Sequence, residues 1–215
     1  MFKSELIYLA GCDGTGKSTQ INQLIKRLRS RRKRVIHVWL RFPFFISLPL
    51  LACARLRGWS WVEMHAGRRI GYWDFSDSTI MQTIFPWALF LDSLLAAIWN
   101  VYLPLLAGFT VVCDRFVLDT LVDLETGLGQ VHIPAKAPQT WFPRLIPSKA
   151  KVAILDLAVD QIRSRRADLL FDQNLAARLE LYRDLSVTFG YPLISSLPSI
   201  DDVHTEVYRR IHLDD

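Results

Sequence analysis

At 215 residues, 51% of them apolar and with positive mean hydropathy, the chain is long enough for one domain with a full core, and a disordered chain is excluded. Its three cysteines, Cys12, Cys53 and Cys113, lie far apart without a C-x-x-C pair, which argues against a disulfide framework or a zinc site and suits a reducing cytoplasm. The net charge of +5 is local, because Lys26 to Arg34 holds seven basic residues in nine.

In chain order, Leu6 to Ala10 reads as a buried strand with no signal peptide before it. Gly11-Cys12-Asp13-Gly14-Thr15-Gly16-Lys17-Ser18-Thr19 fits G-x-x-x-x-G-K-[ST], the phosphate-binding loop. Ser18 to Arg29 follows with Ile21, Leu24, Ile25 and Leu28 at helical spacing. Strand, loop and helix in that order suit the chemistry. Glycines let backbone N–H groups close around phosphate oxygens, and a helix N-terminus favours negative charge. Lys17 would reach the β- and γ-phosphates and the Ser18 hydroxyl would ligate Mg²⁺. Cys12 beside a helix N-terminus is either a loop filler or a thiol of lowered pKa. The basic run reads as a solvated helix C-terminus, or as a contact with anionic lipid or nucleic acid.

Val35 to Leu40 reads as a second strand, ended by Arg41-Phe42-Pro43. Phe44 to Ala54 reads as a helix broken at Pro49, or a helix pair, and 55–78 as an irregular, aromatic-rich excursion near an acceptor site. Thr79 to Leu106 predicts a long helix strained at Pro86 and Pro104, and Phe109 to Cys113 a strand leading into Asp114-Arg115. The 21 uncharged residues between Asp92 and Asp114 reach the length of a membrane span. A buried helix followed by a central strand accounts for them better, with a peripheral membrane surface as the alternative.

A helix to about Glu125, a proline-rich crossover from Gly127 to Pro147 and a strand from Val152 to Leu157 come next. Asp160 to about Arg166 reads as a helix, Ala167 to Asp172 as a lid tip and Asn174 to Phe189 as a helix. A short strand at Leu193 to Ser195 and a helix at Ile200 to Ile211 end the chain. The alternation predicts an α/β fold with a parallel sheet, helices on both faces and ligands at the carboxyl ends of the strands.

These motifs together resemble the thymidylate kinase family of phosphate-loop kinases, over nearly the whole chain. The resemblance rests on the loop with its internal Asp13, Leu40-Arg41-Phe42-Pro43 after the second strand, Asp114-Arg115-Phe116 after the third, and Leu155-Asp156-Leu157 before an arginine-rich helix. It implies a three-layer α/β/α sandwich with a five-stranded parallel sheet, a helical lid at about 160–173, ATP and Mg²⁺ as cofactors, and transfer of a phosphoryl group to a nucleotide, dTMP first. It further implies donor binding by Gly11, Asp13, Gly14, Thr15, Gly16, Lys17, Ser18 and Thr19, with Mg²⁺ on Ser18 and Asp114. Asp13, Arg41, Phe90 and Arg115 would hold the acceptor. Arg163, Arg165 and Arg166 would close over the transferring group, because Gly14 stands where some members carry a loop arginine. A cytoplasmic homodimer through apolar helices, with no nucleic-acid partner, is the family expectation.

The departures cluster on the acceptor side. Phe45 and Leu94 stand where the family has arginines, Asp119 and Asp123 stand after the Asp114-Arg115 element, and the lid offers only Asp168 and Asp172 after its arginines. A lost partner lowers discrimination between acceptors, and an added carboxylate repels a phosphate or acts as base toward a neutral hydroxyl. A kinase on a nucleoside, sugar or lipid-linked alcohol is therefore the second reading. A non-catalytic ATP-binding protein, associated with a membrane, is the third.

Overall fold

The structure is a computed structural model that describes residues 4–42, 45–65, 67–128 and 139–211. Strand β1 (Leu6–Gly11) is buried along its whole length and leads through the glycine-rich loop into α1 (Lys17–Ser30). After β2 (Val35–Trp39) comes α2 (Leu48–Leu56), then an antiparallel hairpin of β3 (Ser60–His65) and β4 (Arg68–Trp73). Helix α3 (Thr79–Ala97) continues through a π-helical turn, Ile98–Tyr102, into α4 (Leu103–Leu106). The chain then forms β5 (Thr110–Asp114), α5 (Val117–Gly127), a 3₁₀ segment (Gln139–Leu145) and β6 (Lys151–Asp156). It ends with α6 (Val159–Arg165), a 3₁₀ turn (Ala167–Leu169), α7 (Leu175–Phe189), β7 (Leu193–Ser195) and α8 (Ile200–Arg210).

The main sheet runs β2-β5-β1-β6-β7, all parallel. Successive side chains of a strand point to opposite faces, and β1 shows the consequence. Leu6, Tyr8 and Ala10 pack into the layer built on α3, α5 and α7, while Ile7 and Leu9 pack against α1 and α8. Coverage on both faces is why β1 is apolar throughout rather than alternating. This is the expected three-layer α/β/α sandwich of phosphate-loop type. The register sets Leu9 and Trp39 beside Asp114 and Gly11 beside Leu155, so the functional loops emerge along one edge.

Three predicted elements are corrected. The 55–78 stretch is not irregular: its aromatic and β-branched residues pair as β3 and β4, joined by a two-residue connection that includes Gly67 at φ +78°. Pro49 does not break its helix but lies in the first turn of α2, where its missing N–H costs no bond. Pro104 likewise opens α4, the preceding π-turn having absorbed the change of pitch. Among the described residues Pro86 lies inside an α-helix and Pro143 inside the 3₁₀ segment.

A polar latch ties α2 to the middle of α3. The fully buried Asp92 accepts hydrogen bonds from the backbone N–H groups of Phe45, Ile46 and Ser47 at 3.0, 2.7 and 2.9 Å, and from the Ser47 hydroxyl. A buried carboxylate is tolerated because the free donors before a helix satisfy it. The hairpin docks on the end of α5 at Gly127, where a Cβ would stand 1.6 Å from the Trp73 indole nitrogen. The 28-residue rod Thr79–Leu106 is apolar and long enough to cross a membrane by length and composition, yet only 33% of its most apolar stretch is buried. The expectation of a buried helix therefore holds for one face of it, while β5 is an inner strand as expected.

Candidate functional site

The loop between β1 and α1 is shaped by steric necessity. A Cβ on Gly11, at φ +138°, would stand 2.4 Å from the Leu155 carbonyl oxygen of the neighbouring strand. One on Gly14, at φ +87°, would meet Ile162 of α6 at 3.0 Å and the Arg166 side chain at 3.3 Å. The loop is braced from within by Thr15, whose hydroxyl donates to the Cys12 carbonyl at 2.8 Å. The amides of Thr19 and Gln20 return to the Gly16 carbonyl. Those of Gly14, Gly16, Lys17 and Ser18 make no hydrogen bond among the described residues. They are the donors that a helix N-terminus leaves unspent.

The buried Lys17 ammonium donates to the Gly11 and Cys12 carbonyls, at 2.5 and 2.7 Å. Burial, reinforced by the charge of Arg115, pulls its pKa below the usual lysine range. Cys12 is a loop filler: burial pushes its thiol up to about 12 despite Arg178 and Lys17, so the helix N-terminus does not produce a thiolate. Ser18 donates to a carboxylate oxygen of Asp114 at 3.0 Å, which unites the two residues expected at a Mg²⁺ ion. Among the described residues no cluster of three or more His, Cys, Asp or Glu side chains could hold a metal by itself. A site completed by phosphate oxygens and water needs none.

A cavity of about 920 Å³ opens in front of the loop. Asp13, Gly14, Gly16, Lys17, Ser18 and Thr19 form its floor, with Asp114 and Arg115 beside them. At the far end α2 contributes Leu48, Leu51, Ala52 and Arg55, and the hairpin contributes Trp61, Arg69, Tyr72 and Trp73. Trp39, 59% exposed at the end of edge strand β2, completes an aromatic wall in which Trp61 stacks on Tyr72 at 5.9 Å.

Between floor and wall lies a lattice of alternating charge. Arg115 pairs with Asp13, and at 3.6 Å with Asp119. Arg41 reaches Asp123 at 3.0 Å and Asp13 at 3.5 Å. Arg178 of α7 pairs with Asp172 at 2.8 Å and Asp123 at 3.5 Å. Arg166 grips Asp168 through two hydrogen bonds. Burial opposes the ionisation of Asp13, but the charges of Arg115, Lys17, Arg41 and Arg166 outweigh it and hold its carboxyl well below the usual range. Burial opposes the charge of Arg115 and Arg178 too, and their aspartates more than restore it. Arg115 adopts φ +71° and Phe42 φ +53°, left-handed conformations uncommon for side chains of this size. Both residues line the cavity, where such backbone strain tends to concentrate.

Several sequence-based expectations are redirected. Asp119 is fully buried and outside the cavity. It accepts from the Tyr8 and Tyr182 hydroxyls at 2.5 and 2.6 Å and from the Phe116 N–H at 3.1 Å, so it serves the core and not an acceptor. Asp123 does line the cavity, but as the bridge between Arg41 and Arg178. Phe90 is half-buried among Trp87, Trp141 and Phe142, and Leu94 packs on the core, so neither lines the cavity. Of the lid arginines only Arg166 lines it. At the end of α6, Ile162 and Arg166 both meet Gly14, while Arg163 does not line the cavity and Arg165 donates to the Ser196 carbonyl. Phe45 is exposed outside the cavity, and Pro43 of the Arg41-Phe42-Pro43 motif lies outside the described residues. The aromatic 55–78 stretch lies beside the cavity as expected, but its hairpin form and the lining arginines Arg55, Arg69 and Arg178 were not foreseen. Of the three arginines, Arg178 left a signal, a cation three residues after Leu175 on the helix's buried side.

No family model matches the chain, and no curated protein matches it.

Proposed function

We propose that the protein is an ATP-dependent phosphotransferase of the nucleoside monophosphate kinase type, with dTMP as the first acceptor to test. The observation that carries this reading is the set of four unspent amides, on Gly14, Gly16, Lys17 and Ser18, facing a cavity lined with arginines. An array of N–H donors at the start of a helix, in a loop where a Cβ on Gly11 or Gly14 would crowd its neighbours, fits the phosphate chain of a nucleoside triphosphate. The adjacent Ser18 hydroxyl and Asp114 carboxylate fit Mg²⁺, either directly or through water. Bound there, the ion would neutralise charge on the phosphate oxygens.

The residues then divide the work by position. Lys17 exchanges its loop carbonyls for phosphate oxygens, which suits an ammonium already stripped of water. Arg166, over Gly14, supplies positive charge at the transferring group once it loosens from Asp168. Arg115 and Arg41, held by Asp13 and Asp123, orient the acceptor in line with the donor. Phosphoryl transfer needs this positioning and charge more than it needs covalent chemistry.

A second reading, a kinase on a different acceptor, is favoured by one observation. The aromatic side chains that line the cavity are Trp39, Phe42, Trp61, Tyr72 and Trp73, while Phe90 packs elsewhere. A coupled ADP-release assay with ATP and Mg²⁺ separates the readings. Its panel holds dTMP, dUMP, the other monophosphates, thymidine and simple sugars, with a blank lacking acceptor. Turnover selective for dTMP supports the first reading. Turnover with a neutral acceptor alone supports the second. ATP binding without turnover on any acceptor removes both.

A further inference from the structure

The rod formed by α3, its π-turn and α4 carries an apolar stripe that, among the described residues, is left largely open, Trp87 alone meeting a ring outside the rod, that of Trp141. Ile80, Ile84, Trp87, Leu91, Leu95 and Ile98 recur at intervals of three and four residues, each between 38% and 69% exposed. Trp99 and Leu106 beyond them are 73% and 83% exposed. The one acidic residue of the rod, Asp92, is fully buried and spent on the Asp92–Ser47 latch. That latch also brings the exposed side chains of Phe45 and Ile46 next to the stripe. The exposed rod surface therefore presents hydrocarbon and indole without a negative charge, far beyond scattered apolar residues.

Cations stand where this stripe ends. Arg34 stacks on Phe109 at 4.0 Å, three residues past Leu106, and its carbonyl accepts from the Thr110 N–H at 2.8 Å. This places Arg34, the exposed last residue of the basic run, at the end of α4. On another side the Tyr102 hydroxyl donates to the Leu145 carbonyl, which brings the exposed Arg144 close to the rod's last turns. An apolar stripe rich in tryptophan and bordered by arginines is the pattern of a helix lying in a bilayer interface. A protein partner would have to match the stripe with hydrocarbon and the rim with carboxylates; an anionic lipid leaflet offers both in one plane.

We propose that this face docks the protein onto an anionic membrane surface, the rod lying in the interface and the arginines on the headgroups. The cavity and the phosphate loop take no part in the contact, so the proposal stands apart from the kinase reading. The test is flotation of the full chain with vesicles of phosphatidylcholine alone and of phosphatidylcholine mixed with phosphatidylglycerol, together with sedimentation velocity in the absence of lipid. Wild type is expected to float with the anionic vesicles, weakly with the neutral ones, and less at high salt. Arg34→Gln with Arg144→Gln is expected to weaken anionic binding about 25-fold, roughly fivefold for each arginine at the surface. Trp99→Ser with Leu106→Ser, two exposed changes that leave the core intact, is expected to abolish flotation with both vesicle types while thermal melting is unchanged. Wild type that fails to float overturns the proposal. So does a wild-type dimer that the Trp99→Ser, Leu106→Ser variant converts to monomer without loss of flotation, since the stripe is then a subunit interface.

Discussion

Replacing Asp119 by alanine should lower stability severely without touching the cavity directly. The carboxylate is 0% exposed and accepts three hydrogen bonds, from the Tyr8 and Tyr182 hydroxyls and the Phe116 N–H. Hydrogen bonds to a charged group contribute about 1.5 kcal/mol each at the low end, so their loss amounts to about 4–5 kcal/mol. Arg115, 3.6 Å away, also loses a partner, and breaking a buried ion pair by itself costs about 3–5 kcal/mol. The terms overlap, and about 4–5 kcal/mol is expected in all, out of a total of about 5–15 kcal/mol for a folded domain. For a chain of this size the melting temperature should fall by about 10–15 °C, at about 2–4 °C per kcal/mol. The assay is thermal and urea unfolding followed by circular dichroism, paired with turnover at a temperature where the variant is folded. Asp119→Asn, which keeps an acceptor oxygen, should recover much of the stability and turnover. If Asp119→Asn melted like wild type yet lost its turnover, the carboxylate would be acting as a base, and the core role derived from its burial would be wrong.

Three further outcomes follow from the same geometry. Lys17→Ala should reduce turnover at least a hundredfold, the scale of one lost transition-state donor, with the far-ultraviolet circular dichroism unchanged; normal turnover would remove the phosphate-loop assignment. Arg115→Ala should raise the acceptor KM more than the ATP KM and cost about 3–5 kcal/mol of stability, because Asp119 is left buried and unpaired; steady-state kinetics in which only the ATP KM rises would contradict the acceptor role. Asp13 is held below the ordinary aspartate pKa of about 3.9, so its contribution to stability is complete above that value and is lost as the pH falls through the lower folded-state value. The melting-temperature gap between wild type and Asp13→Asn should thus be widest near neutrality and close in acid; a gap that widens below about pH 4 would reverse the sign of the argument.

Asp119 and Asp123, which the reading of the sequence set together on the acceptor side, part company in the structure. Asp119 and Asp123 are four apart on α5, and spacing alone gives them one face. Their fates diverge because Tyr8 of β1 and Tyr182 of α7 converge on Asp119, whereas Arg41 and Arg178 converge on Asp123. Those partners lie between 55 and 111 residues away, or come from separate elements, and no local period encodes them. The 60–73 hairpin was legible in principle from its aromatic and β-branched alternation and from Gly67 between its strands. Gly71 inside the second strand and the polar residues Glu63, Arg68 and Arg69 hid that pattern, and its role as a cavity wall depends on docking at Gly127.

What the sequence determined by itself was local and periodic: the glycine loop between a buried strand and an amphipathic helix, the alternation that makes a parallel sheet, and the basic run. Glycine geometry and the 2.0 and 3.6 periods need no knowledge of the rest of the chain. Only the tertiary structure decided which arginine faces which aspartate, that Arg166 and not Arg163 overhangs the loop, that Phe90 packs with Trp141, and that one face of the α3–α4 rod is left open. Each of these depends on strand register and on the helix rotation fixed by packing, where one step of sequence turns a side chain by about 100° and exchanges core for solvent.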